Sequence, residues 1–300
     1  MIEKKVERFI SGRATITGRT NVGKSTLFNR LVGEKISIVT DVPQTTRDRI
    51  LGVRTEKGFQ IAFVDAPGIH RPKHAMNRAM VERALEALQD VDLVIFMIAA
   101  DEPVGQGDMM VASILREKAI PAICVINKVD LVRKEMTLPL IEKAVHEWGM
   151  KEAIPVSALT GENCDRLLDV IMQYLPEGEM LFPEDYLTDQ TERSIISEII
   201  REKVFLKTQQ EIPHSSAIIV ERFQEKSENL VVIEAFIVVE KESQKGIIIG
   251  RRGQMLKSIG IAARQEIEHF LSRKVFLDLT VKVKKKWRDD DQLLRKIGLK

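Results

Sequence analysis

The sequence predicts an α/β domain with a mostly parallel sheet, followed by a smaller α+β domain. Three observations carry that expectation. The first half of the 300 residues alternates short, unbroken apolar runs with longer stretches of helical period. A glycine-rich loop ending in Lys-Ser stands between the first strand-like run and the first helix. Beyond about residue 190 the pattern changes from unbroken apolar runs to helix, hairpin and strict alternation.

The elements follow in order. Arg13-Ala14-Thr15-Ile16-Thr17 is the strand that should precede the glycine loop; it is polar for a buried strand, although its threonines are β-branched and suit a sheet. Ile61 to Val64, Leu93 to Ala99 and Ala122 to Ile126 are continuous apolar strands, with helical stretches at Ala75 to Leu88 and Met109 to Lys118. Strands apolar on both faces, alternating with helices, belong to a parallel sheet covered on both sides. Turn residues and acids at Leu175 to Asp189 mark a boundary. The expected division is 1–178, a linker at 179–190, and 191–300. In the last part, Thr191 to Lys207 is helical, Ala217 to Phe223 and Leu230 to Val239 are strands, and Gly246 to Gly253 leads into a helix from Met255 to Leu271. Val275 to Val283 alternates cleanly, and a basic helix is expected at the C-terminus.

Composition excludes several classes. With 44% hydrophobic and 30% charged residues, the chain has enough apolar surface to build a core. Its longest uncharged apolar run, Leu93 to Ala100, is too short to span a bilayer. Cys124 and Cys164 form neither a disulfide framework nor a metal-ligand spacing, and the five histidines show no metal spacing either. A cytoplasmic globular protein is expected. The net charge of +2 conceals an asymmetry: residues 1–240 carry −7 and residues 241–300 carry +9, which points to a polyanion near the C-terminus.

Gly18-Arg19-Thr20-Asn21-Val22-Gly23-Lys24-Ser25-Thr26 fits G-x-x-x-x-G-K-[ST]. Such a loop turns backbone N–H groups toward phosphate oxygens, Lys24 supplies a cation to the β- and γ-phosphates, and the Ser25 hydroxyl can ligate Mg²⁺. Asn127-Lys128-Val129-Asp130 follows a strand. A carboxylate at Asp130 can accept from guanine N1–H and N2–H, which adenine does not offer. Asn127 would brace neighbouring loops and the Lys128 stem would cover the base. Asp65-Ala66-Pro67-Gly68 ends a strand, where Asp65 can hold Mg²⁺ through water and the Gly68 N–H can sense the γ-phosphate. Ser157-Ala158, with Leu159 after it, could reach guanine O6 through backbone N–H. Within Gln44-Thr45-Thr46-Arg47 a threonine should close on Mg²⁺; Thr46 is the first choice and Thr45 the alternative. Lys24, Thr46 and Gly68 are the expected catalytic groups.

Along the chain the order is phosphate loop, threonine loop, D-x-P-G, N-K-x-D and Ser-Ala, and those five motifs in that order resemble the GTPase domains of the TRAFAC class. Ile69 stands where Ras-like GTPases carry a water-positioning glutamine. A hydrophobic side chain cannot orient water, so hydrolysis must lean on backbone groups, ordered water or a cation. In similar GTPases an asparagine at the place of Asn21 ligates K⁺. Gly250-Arg251-Arg252-Gly253, preceded by Ile247-Ile248-Ile249, resembles the G-x-x-G loop with which KH domains clamp a nucleic-acid backbone. Ile248, Lys257 and the basic run Lys284, Lys285, Lys286 and Arg288 are further expected RNA contacts.

Over essentially the whole chain the sequence resembles the Era family of bacterial GTPases. The resemblance rests on Gly18 to Thr26, Lys35 to Arg49, Asp65 to His70, Asn127 to Asp130, Pro183 to Thr188, Gly246 to Gly260 and Val281 to Leu294. It implies a Ras-like P-loop GTPase domain joined to a type II KH domain. It also implies a monomer that uses GTP and Mg²⁺ and binds the 3′ end of small-subunit ribosomal RNA during assembly of the small ribosomal subunit. GTP-coupled repositioning of the KH domain and peripheral contact with the cytoplasmic face of the inner membrane are implied as well. The chain departs from the family at Thr20, where proline is usual, and in its polar first strand. A membrane-associated signalling GTPase and a non-hydrolysing RNA-binding scaffold with a nucleotide-sensing pocket are the alternative readings.

Overall fold

The computed structural model describes residues 8–39, 46, 49–69, 75–89, 91–208 and 212–297. Gln44, Thr45 and Arg47 of the threonine loop, and His70 and His74, lie outside the described residues. The chain divides into two compact units; most of the first precedes residue 190 and most of the second follows it.

Up to residue 175 the chain runs β1 (Ile10–Gly18), α1 (Lys24–Val32), β2 (Ile50–Glu56), β3 (Phe59–Asp65), α2 (Ala75–Glu86), β4 (Leu93–Ala99), α3 (Gln106–Glu117), β5 (Ala122–Asn127), α4 (Leu138–Glu142), β6 (Ala153–Pro155) and α5 (Cys164–Tyr174). The sheet of these strands has the order β2-β3-β1-β4-β5-β6. All pairings are parallel except the β2–β3 hairpin. The unbroken runs of β4 and β5 are buried on both faces, as a doubly covered parallel sheet requires. Ala14, Ile16, Leu27, Phe63 and Met97 belong to one core layer; Val94, Phe96, Val111, Leu115 and Trp148 belong to the other.

The polar first strand has a physical account. β1 is central, between β3 and β4, and its side chains alternate. Ala14 and Ile16 enter the first core layer. Of the intervening residues, Ser11 donates to the Glu179 carbonyl at 2.6 Å and Thr15 donates to the Ala87 carbonyl at 2.6 Å, which satisfies both hydroxyls. Arg13 is exposed, so it needs no buried partner. Thr17 is the exception: its hydroxyl is buried without a hydrogen-bond partner among the described residues.

The stretch expected as a linker lies as a strap on the first unit. The Val53 N–H donates to the Leu187 carbonyl at 2.8 Å, and the Thr188 hydroxyl donates to the Leu51 carbonyl at 2.6 Å. The buried Gln60 carboxamide receives Leu181 N–H at 2.7 Å and Phe182 N–H at 2.9 Å, and donates to the Phe182 carbonyl at 3.0 Å. An edge strand with open backbone groups is thereby covered. Composition marked the turn but could not show what its backbone would bond.

The second unit runs α6 (Glu192–Lys207), α7 (Ile212–Ser215), β7 (Ala217–Ser227), β8 (Leu230–Val239), α8 (Glu242–Ile249), α9 (Gln254–Leu271), β9 (Lys274–Val283) and α10 (Asp291–Lys296). Thr191 caps α6 by accepting from Ser194 N–H. The sheet order is β7-β8-β9, antiparallel then parallel. Val275, Leu277, Leu279, Val281 and Val283 of β9 pack on the core, while Phe276, Asp278, Thr280 and Lys282 are exposed. The expected basic C-terminal helix is corrected: α10 has six residues, and the basic run precedes it on a turn after β9. That turn is fixed by Trp287, fully buried, whose indole N–H donates to the Ser215 carbonyl at 2.8 Å.

Candidate functional site

Gly18 ends β1 and Lys24 begins α1, so residues 18–24 form the turn from the sheet into the first helix. Gly23 sits at φ 95°, and a side chain there would also run into the Asn127 amide, so only glycine suits the position. Val22 is buried and Asn21 is exposed at φ 66°. Lys24 is buried, and its ammonium donates to the Arg19 carbonyl at 2.8 Å. Burial lowers its pKa to about 8, with Asp65 pulling the other way. A Cβ on Gly68 would stand 2.9 Å from the Thr20 methyl and 3.3 Å from Lys24 Nζ, which brings the D-x-P-G turn against the phosphate loop.

Three side chains converge on the Asp65 carboxylate at the end of β3. Ser25 donates to Asp65 Oδ2 at 2.7 Å, Ser37 donates to it at 2.8 Å, and Thr46 reaches it at 3.3 Å. The Ser25 and Thr46 hydroxyls are 2.9 Å apart. Burial raises the Asp65 pKa, opposed by the Ser25 hydrogen bond and the Lys24 charge. Its Oδ1 is buried and accepts no hydrogen bond among the described residues. An orphaned carboxylate oxygen beside two hydroxyls is an all-oxygen donor set that fits a hard divalent cation such as Mg²⁺. Ser37 was not legible in the sequence. It is delivered by Asn29 of α1, whose Oδ1 accepts from the N–H groups of Ile36 and Ser37.

Asn127 at the end of β5 ties two loops together. Its amide donates to the Val22 carbonyl at 2.7 Å, and its Oδ1 accepts from Ala158 N–H at 2.9 Å. Asp130 is exposed on the following turn. Ser157 and Ala158 are buried and Leu159 is 72% exposed, so of these three Leu159 alone presents its side chain outward. Arg30 of α1, absent from the sequence-based set, donates to the Ala158 and Leu159 carbonyls, both at 2.7 Å. Ile69 is buried in the second core layer, so its side chain does not reach toward a phosphate.

Arg19 and Lys128 are gathered by an acidic turn after β4. Lys128 Nζ lies 3.1 Å from Asp101, and Arg19 Nη2 lies 2.7 Å from Glu102. Arg19 Nε also approaches Asp108, a buried carboxylate on α3, at 3.2 Å. No sequence signal linked these acids to the glycine loop, because the contact depends on the β1–β4 pairing.

In the second unit, residues 250–253 form the short turn between α8 and α9, with Gly250, Arg252 and Gly253 at positive φ. Arg251, Arg252 and Lys257 are exposed. Ile248 is corrected: it is fully buried in the core, because α8 turns it inward, and Ile247, 51% exposed, is the isoleucine that faces out. In the basic run, Lys284 pairs with Asp290 at 2.6 Å and Arg288 pairs with Glu240, whereas Lys285 and Lys286 are exposed and carry no ion pair among the described residues.

A family model described as "50S ribosome-binding GTPase" matches residues 13–128, and one described as "KH domain" matches residues 211–288. GTPase Era of Geotalea daltonii is 48% identical over 293 residues, 97% of this chain and 98% of that protein. The crystal structure of Era in complex with MgGDPNP and nucleotides 1506–1542 of 16S ribosomal RNA matches with a TM-score of 0.93 at 41% identity, covering 97% of this chain and 99% of that one. A variant of Aquifex aeolicus Era bound to GDP.AlF4⁻ matches with the same TM-score, identity and coverage.

Proposed function

The chain belongs to the Era family of GTPases, and from that premise we propose how it binds and hydrolyses GTP and how it engages the 3′ end of small-subunit ribosomal RNA in assembly of the small ribosomal subunit. The observation that carries the catalytic reading is the convergence of Ser25, Thr46 and Asp65 beside Lys24.

In this reading the N–H groups of residues 18–26 and the Lys24 ammonium hold the β- and γ-phosphates. Ser25, Thr46 and Asp65 hold Mg²⁺, which when bound neutralises charge on the phosphate oxygens. Asp65 Oδ1, which accepts no hydrogen bond among the described residues, can face it or its water. Asp130 accepts from guanine, the Lys128 stem covers the base, and Asn127 keeps base loop and phosphate loop in register. The burial of Ile69 supports a water held by backbone groups, with Gly68 N–H and Thr46 nearest and K⁺ at the exposed Asn21 supplying positive charge. We assign 1–178 to the GTP-binding domain and 191–300 to a type II KH domain. RNA contacts fall to Gly250 through Gly253, Lys257, Lys285 and Lys286. The KH-domain match over residues 211–288 and the exposed Arg251 and Arg252 of the G-x-x-G turn favour a cytoplasmic protein bound to RNA over a membrane-signalling role, and we take it to act as a monomer.

Single-turnover cleavage of γ-labelled GTP tests the mechanism, run in potassium and in sodium with Lys24→Ala as control. The wild type should cleave, faster in potassium, and Lys24→Ala should lose at least ~100-fold. GTP left intact by the wild type would overturn the hydrolytic reading; equal rates in the two salts would remove K⁺ from it.

A further inference from the structure

We propose that Asp108, on the first turn of α3 and outside the nucleotide motifs, is a positioning residue of the GTP site that holds the phosphate loop through Arg19. This rests on reading the loop as a nucleotide site. The carboxylate is 1% exposed and has two fixed attachments. Its Oδ2 accepts from Gly105 N–H at 2.9 Å, which anchors it to the start of its own helix. Its Oδ1 faces Arg19 Nε at 3.2 Å, at an angle that makes the approach a charge contact rather than a hydrogen bond. Glu102 completes the grip at Arg19 Nη2, 2.7 Å away. The Arg19 carbonyl in turn accepts from Lys24 at 2.8 Å. A continuous path therefore runs from the start of α3 to the ammonium that meets the phosphates.

The chemistry says why an acid is needed there. Arg19 carries a positive charge on a loop that must receive several negative ones, yet its fork is turned toward two carboxylates instead of the phosphate side. Buried, the Asp108 charge is little screened by salt, so it fixes the Arg19 side chain and thereby the backbone whose carbonyl orients Lys24. Glu102, 44% exposed, is the weaker partner; it also lies 3.9 Å from Lys128 Nζ, next to the Asp101–Lys128 pair. Losing Asp108 should loosen the grip on phosphates while leaving the base contacts of Asn127 and Asp130 as they are.

The test measures dissociation of a fluorescent GDP and the ratio of GDP to inosine diphosphate affinities. Asp108→Asn, which keeps the shape, should release GDP about tenfold faster, the order expected of a residue that acts on the ligand through an intervening network. The affinity ratio, which reads only the guanine N2 contact, should be unchanged. Arg19→Gln should give the same acceleration, and the double variant no more than either alone, because the two act as one unit. Should Asp108→Asn not fold, Arg19→Gln against Glu102→Gln carries the test, with the larger acceleration expected for Arg19→Gln. Additive effects, or a release rate equal to wild type, would overturn the role of Asp108. A wild-type protein that binds no guanine nucleotide would instead overturn the underlying site assignment, so the two failures are told apart.

Discussion

Lys24 has lost its hydration to the surrounding loop, and that burial brings its pKa to about 8 from an ordinary 10.5. Bound phosphates favour the ammonium form, so below pH 8 binding needs no proton and affinity should be flat. Above pH 8 each binding event must take up a proton, and affinity should fall toward tenfold per pH unit. For the free protein the sign is reversed: the cost of burying the ammonium is present below pH 8 and is relieved as pH rises toward 10.5. Calorimetry of GDP binding at pH 7.5, 8.5 and ~9 in buffers of different ionisation enthalpy should show proton uptake growing over that range, and Lys24→Arg should abolish the trend because arginine stays charged. A pH-independent affinity in the wild type would contradict this account. At this scale the motif residues were legible because their chemistry demands fixed types at fixed spacing. Ser37, Arg30, Glu102 and Asp108 were not, because each reaches the site across the fold from a position with no spacing rule.

Strands and helices were legible where periodicity was strong: β4, β8 and the α6 and α9 helices lie where their apolar patterns put them. The β2 strand was missed because its alternation is weak and its partner in the hairpin supplies much of its order. The strap was missed for another reason: its order comes from a side chain far away in sequence. Gln60 is fully buried and meets Thr55, Leu181 and Phe182 with every polar atom of its amide. Replacing it with leucine keeps the volume but strands the N–H groups of Leu181 and Phe182. A loss of about 2–3 kcal/mol in urea unfolding is expected, well above the ordinary surface substitution. Proteolysis should show residues 179–189 becoming cleavable before the sheet itself opens. A loss within ~0.5 kcal/mol would mean the strap is held by its backbone bonds to Leu51 and Val53 alone.

Across the whole chain the charge is divided by ligand: −7 over residues 1–240, where nucleotide is gripped by placed groups, and +9 over residues 241–300. Nominal charge overstates what RNA can use. Lys284 and Arg288 are neutralised by Asp290 and Glu240, and Lys282 lies over the Phe236 ring at 3.1 Å. Exposed cations at the G-x-x-G turn and in the basic run that carry no ion pair among the described residues include Arg251, Arg252, Lys257, Lys285 and Lys286. If these five each meet one phosphate of a single-stranded ribosomal 3′-end oligonucleotide, log affinity should fall against log salt with a slope of about −3.5. Arg251→Gln with Arg252→Gln should flatten that slope by about 1.4 and weaken binding to matched and scrambled oligonucleotides alike, since phosphate contacts carry no sequence. Gly253→Asp should instead abolish binding without such a graded salt response, because a new carboxylate would stand where the backbone must approach. A slope near −5 would show that the two paired residues of the basic run, Lys284 and Arg288, are released to RNA. A slope near zero would move recognition from phosphates to base edges along the face that exposes Ile247.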